Sequence, residues 1–159
     1  MKSFDDILSR AKGPVNFCLG FFSAFSIGNI AALKELKKMK GDSLVILLDY
    51  KHDRPTIYTR EEIELSLKEH FDLDYVHITA KSKESAYTKV FSQIEATKFP
   101  KGAHATLIYA QEEKAEVEAA IKTGGSSNLK LKEIPNVYYE GELVNERLIL
   151  SLFHSNRVS

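Results

Sequence analysis

Apolar residues in this chain fall into short continuous runs, separated by stretches where they recur every three or four positions. Continuous runs suit strands covered on both faces, and the wider spacing suits amphipathic helices. Ser3, followed by Asp5 and Asp6, predicts a short helix over 3–12, with a hydroxyl cap and acidic residues in the first turn. Gly13-Pro14 ends it. Val15 to Phe22 reads as a buried strand, and Ile27, Ile30, Leu33 and Leu36 mark a helix over about 27–40 whose amphipathicity is imperfect. Leu44-Val45-Ile46-Leu47-Leu48 is the clearest buried strand. Thr59 and Glu62 form a capping box opening a helix to about His70. Tyr75 to Ile78 is a third strand, and Ala86, Val90 and Ile94 define a helix over 83–97. Ala105 to Ala110 is a fourth strand, followed by a helix over 111–122 with Gly124-Gly125 as its C-cap. Leu129 to Tyr139 reads as a fifth strand interrupted at Pro135, a residue that suits an edge or a bulge. Val144, Leu148 and Leu152 mark a last helix.

Strands alternating with helices predict right-handed crossovers and a Rossmann-like, doubly wound parallel sheet of the α/β class. With 159 residues and no internal repeat, low-complexity tract or linker, the chain reads as one domain over 1–159. Lys+Arg and Asp+Glu each total 22, so the net charge is zero. That argues against nucleic acid or an anionic membrane as a partner. Lys34, Lys37, Lys38 and Lys40 read as a solvated helix face. Cys18, the single cysteine, leaves no disulfide framework and reads as a small buried hydrophobe. The N-terminus lacks the apolar core of a signal peptide, and no apolar run reaches the roughly 20 residues that span a bilayer. A cytoplasmic protein is the expectation.

The segment from Gly20 to Asn29 carries the main chemical signal. It closes the first strand and opens the next helix, where α/β folds hold a phosphate against free N–H groups and the helix dipole. Its spacing resembles the G-x-F-D-G-x-H-x-G-H loop of the FAD synthetase adenylyltransferase module, a branch of the HIGH-motif nucleotidyltransferases. Gly20, Phe22 and Gly28 fit that pattern. Ser23 stands at the aspartate position, and Ser26 and Asn29 stand where the family has its two histidines. Further along, Leu47-Leu48-Asp49 resembles the second-strand end that the family continues as T-F-D-P-H-P, echoed here by a displaced His52 and Pro55. Asp74-Tyr75-Val76 matches part of its G-V-D-Y-V strand, and Glu140-Gly141-Glu142 fits its D-G-x turn. The I-S-S-T-R-I-R segment that follows aligns without a gap on Val144 to Arg147 and leaves its arginine unmatched. Removing one position sets Arg147 on that arginine, with Val144 and Asn145 at serine positions.

The resemblance implies the HUP-type nucleotidyltransferase fold and a site that binds adenine nucleotide at Gly20, Phe22, Ser23, Ser26, Gly28, Asn29, Asn145 and Arg147. ATP with Mg would be a substrate, FMN or FAD a further ligand, and FMN + ATP → FAD + pyrophosphate the reaction. The riboflavin kinase domain of bifunctional members is not expected. The residues themselves leave activity open. Serine and asparagine donate hydrogen bonds without charge, and charge-assisted bonds are about twice as strong. Losing one preorganised donor to a transition state costs on the order of 10²–10³ in rate. The alternative is a catalytically inactive nucleotide-binding or protein-interaction domain; in that reading the glycines serve only a tight turn and Ser26 an N-cap. Gly124 to Asn128 reads as a turn ahead of a phosphate cradle. His77 and His104 read as structural, His52 has a better functional position, and no histidine spacing suggests a metal site.

Overall fold

Residues 3–20, 27–49, 58–125, 128–139 and 142–144 are described by a computed structural model. Ser3 caps helix α1 (Phe4–Ser9): its side chain accepts the Asp6 N–H while Asp6 returns the bond to the Ser3 backbone. Five strands follow with their helices: β1 (Val15–Gly20), α2 (Ile27–Lys38), β2 (Asp42–Asp49), α3 (Arg60–Glu69), β3 (Asp74–Thr79), α4 (Lys83–Glu95), β4 (Ala105–Ala110), α5 (Lys114–Gly124) and β5 (Leu129–Ile134). They form one parallel sheet in the order β3-β2-β1-β4-β5.

Both faces are covered, which is why β1 and β4 lack polar alternation. Val15, Phe17 and Leu19 of β1 join Leu44, Ile46 and Leu48 of β2 under α1, α4 and α5. The residues between them, Cys18, Val45 and Leu47, face α2 and α3 with Leu33, Leu36, Ile63 and Leu67. Thr59 and Glu62 make both bonds of the capping box at the start of α3. Lys37, in the lysine-rich part of α2, bonds the backbone and carboxylate of Asp72, and Lys34, Lys38 and Lys40 are exposed.

Three expectations need correction. The segment 129–139 is not one strand: β5 ends at Ile134, and Val137–Tyr139 (β6) pairs antiparallel with Glu142–Val144 (β7) as a separate two-stranded unit. Pro135 supplies the reason, because it has no N–H to continue a ladder and β5 is already the sheet edge. Val144 is therefore a strand residue, not the start of a helix. The rest of that expected helix lies outside the described residues. Finally, 111–122 opens as a 3₁₀ turn, Gln111–Glu113, before α5 takes over. Gly124 is the last residue of α5, and Gly125, at φ +91°, caps it.

Candidate functional site

The sheet opens at the C-terminal ends of its central strands. β1 and β4 are paired only where Val15 to Phe17 meets Ala105 to Leu107, although β1 runs on to Gly20 and β4 to Ala110. Over the same length β1 stays in register with β2 as far as Gly20 and Leu47. The divergence thus falls between β1 and β4, where the strand order reverses, which is the switch point where open α/β sheets bind ligands. α2 begins directly behind the end of β1, so its first N–H groups and its positive dipole end lie on this edge.

Gly20 is the last residue of β1 and is buried, while Gly28 and Asn29 lie in the first turn of α2. The fold therefore brings these three of the expected nucleotide-binding residues to one edge. Phe22, Ser23, Ser26, Asn145 and Arg147 lie outside the described residues, as do His52 and Pro55. Gly124, Gly125 and Asn128 sit at the opposite edge: the Asn128 carbonyl accepts from Ala105 at the start of β4, so this turn is remote from the switch point. His77 Nε2 lies 2.7 Å from Glu64 Oε1, a surface pairing in keeping with a structural role. The His104 carbonyl accepts from Val15, and burial and then Lys130 hold its imidazole pKa below the ordinary value. Cys18 is buried, and burial, followed by the nearby Glu113 charge, pushes its thiol far above the reactive range.

Two arrangements at the C-terminal edge were not visible in the sequence. The first joins α4 to the turn after β4. Tyr87 Oη donates to Glu113 Oε2 at 2.5 Å, and Lys83, the first residue of α4, pairs with Glu113 Oε1. Glu113 is only 13% exposed and Tyr87 fully buried. Burial, then the Glu113 charge, holds the Tyr87 phenol well above its usual pKa. Burial likewise raises the neighbouring Glu116 carboxyl, with Lys83 opposing that shift.

The second is Arg60, the first residue of α3. Its Nη2 donates to the Leu48 carbonyl at 3.0 Å and lies 3.5 Å from Asp49 Oδ1, both at the end of β2. Its Nη1 is buried and finds no partner among the described residues. A buried donor left unmade costs about 1–3 kcal/mol. A signal was present in the sequence: a cation in the first turn of a helix opposes the helix dipole and needs an acceptor elsewhere.

An open groove of about 830 Å³ lies at the other end of the sheet, lined by Asp6, Arg10, Lys37, Asp42, Asp72 and Asp74 among others. Among its charges Lys37 pairs with Asp72, and Asp74 with Lys68.

The architecture defines the class: a Rossmann-like, doubly wound parallel sheet of the α/β type. Neither a protein-family model nor a curated protein sequence matches the chain. Among solved structures it is similar to the pantoate-beta-alanine ligase of Francisella tularensis, complexed with beta-gamma ATP and beta-alanine. The two share 13% identity at a TM-score of 0.56, over 92% of this chain and 70% of the ligase. The likeness is one of fold.

Proposed function

We propose that this protein binds adenine nucleotide at the C-terminal edge of its sheet, with the phosphates toward the first turn of α2. Gly20, Phe22, Ser23, Ser26, Gly28 and Asn29 would line one side of that site, and Asn145 and Arg147 the other. The observation that carries the reading is the divergence of β1 and β4 at the switch point, directly in front of the α2 N-terminus. Support also comes from the shared fold with a ligase whose structure was solved with beta-gamma ATP.

The reaction that suits the loop resemblance is that of an FAD synthetase. A phosphate oxygen of FMN attacks the α-phosphorus of ATP, the new P–O bond forms, and the bond to the β-phosphate breaks to release pyrophosphate. Magnesium would arrive on the triphosphate as part of the substrate. Ser26 and Asn29 favour a second reading, a nucleotide-binding domain that performs no transfer. Neither side chain carries the positive charge that a departing pyrophosphate needs.

Calorimetry with ATP, FMN and FAD, followed by a pyrophosphate-release assay with magnesium, separates the two. Turnover with FMN identifies the enzyme, and ATP or FAD binding without turnover identifies the binding domain. Arg147→Ala is expected to weaken ATP binding about tenfold or more, the loss of one charge-assisted bond. No binding of ATP by the wild type would refute the proposal.

A further inference from the structure

We infer that the edge of the sheet opposite the proposed nucleotide site is a docking surface for nucleic acid, held by its phosphate backbone. Because the strands are parallel, the segments at their starts share one edge. Four of those segments carry Arg10 and Lys12 (10–14), Lys40 (39–41), Lys98 and Lys101 (96–104) and Lys130 (128–130), and none of the four contains an aspartate or glutamate. Hydrogen bonds stitch them together. Val15 donates to the His104 carbonyl, Asp42 to that of Pro14 and Ala105 to that of Asn128. The Asn16 side chain donates to the Lys40 carbonyl, and the Asn128 side chain to that of Thr97. The cations therefore follow the strand order β2-β1-β4-β5. At about 5 Å between neighbouring strands the row is about 15 Å long.

All of these side chains are exposed, and none forms an ion pair among the described residues. Carboxylates at the rim are outnumbered: Asp42 shares a hollow of about 300 Å³ with Arg10 and Lys12, and Asp5 a groove with Lys89 and Lys98. The row ends at β3, where Asp72 and Asp74 are taken up by Lys37 and Lys68. Zero net charge is an average over the chain, and it conceals this asymmetry. A line of point charges matches a partner whose charges also repeat along a line, as phosphates do. A membrane or a protein partner calls for apolar side chains to insert or bury. The large exposed apolar residues, Leu65 and Leu131, lie instead on α3 and within β5. Phe99, the only Phe, Tyr or Trp in the four segments, packs against the core, so it offers no platform to a base. Contact is thus with the backbone and independent of base sequence.

The test titrates the full chain against a short DNA duplex and an RNA duplex of the same sequence, read by fluorescence anisotropy over a series of salt concentrations. Each phosphate that meets a cation adds about 0.9 to the fall of log K with log salt, so this row should give a slope of about −3 to −5. Lys98→Gln with Lys101→Gln should flatten the slope by about 2 and weaken binding about tenfold or more. Arg10→Gln with Lys12→Gln repeats the comparison at the start of β1. The matched pair Lys81→Gln with Lys114→Gln, exposed at the opposite edge, should change neither quantity. No saturable binding of either duplex by the wild type overturns the inference, and so do equal losses in the two edges' variants. Stronger binding to phosphatidylserine vesicles or to poly-glutamate than to the duplexes, at the same salt, assigns the edge to a membrane or a protein and overturns it as well. ATP titration of the wild type reports separately on the nucleotide site at the other edge, and neither result decides the other.

Discussion

Replacing Glu113 by alanine is expected to cost more stability than removing the hydroxyl that bonds to it. The Glu113 carboxylate accepts from the fully buried Tyr87 hydroxyl and pairs with Lys83. In Glu113→Ala the Tyr87 hydroxyl has lost its partner, and an orphaned buried donor costs about 1–3 kcal/mol. Loss of the Lys83 pair adds less than about 1 kcal/mol, because Lys83 is 28% exposed and can turn to water. The sum is about 1–4 kcal/mol, or roughly 2–16 °C in melting temperature for a chain of this size. Tyr87→Phe removes donor and demand together. Glu113 keeps Lys83, so the cost is about 1 kcal/mol, roughly 2–4 °C. Once Glu113 is gone the hydroxyl is a liability, so the double variant should fall short of the summed single costs by at least about 1 kcal/mol. Urea and thermal unfolding of the four proteins measure the cycle. A Glu113→Ala cost no larger than that of Tyr87→Phe, or strictly additive costs, would refute the claim that this network is a satisfied buried unit.

The same tyrosine predicts an alkaline limb. Its phenol pKa is raised in the folded state by burial and Glu113, so above the unfolded value of about 10 the unfolded chain loses a proton that the folded chain keeps. Stability should fall as pH rises through that value, and Tyr87→Phe should flatten the decline; identical limbs in both proteins would count against it. Gly41 and Gly102 form a controlled pair. Both have positive φ, but a Cβ at Gly41 would lie 2.2 Å from the Pro14 carbonyl oxygen, whereas one at Gly102 meets nothing within 4 Å. Gly102→Ala should cost about 1–2 kcal/mol for the left-handed backbone, and Gly41→Ala at least about 1–3 kcal/mol more from overpacking; equal chemical-denaturation midpoints would show that the β1–β2 connection yields easily.

Much of the fold was legible because its signals are local. Ser3 and Thr59 announce helix starts through bonds that close within one turn, and both capping boxes form. The runs Val15 to Gly20 and Leu44 to Leu48 are buried strands because helices cover both faces of the sheet, and unbroken apolar composition is the consequence. The first loop was legible as a place, the strand-to-helix turn at the edge where such folds bind ligands. The candidate site was only partly so. Gly20 ends β1 and Gly28 and Asn29 open α2, while Glu113 meets Tyr87 across 26 residues and Lys83 across 30, separations at which no spacing rule operates. Arg60, between the two capping-box residues, bonds the end of β2, and its position against the helix dipole is the one local clue to that.

By itself the sequence determined the order of strands and helices, their caps, and the class of sheet they form, since propensity, capping and burial pattern act over a few residues at a time. The tertiary structure alone decided where the pairing of β1 and β4 stops, which fixes the crevice, and that the chain after Pro135 leaves the sheet for a hairpin of its own. It also decided that the guanidinium of Arg60 turns to the end of β2. Strand register, hairpin partnering and side-chain direction depend on which surfaces meet across the fold, and that is settled only when distant segments compete for the same hydrogen bonds and the same buried space.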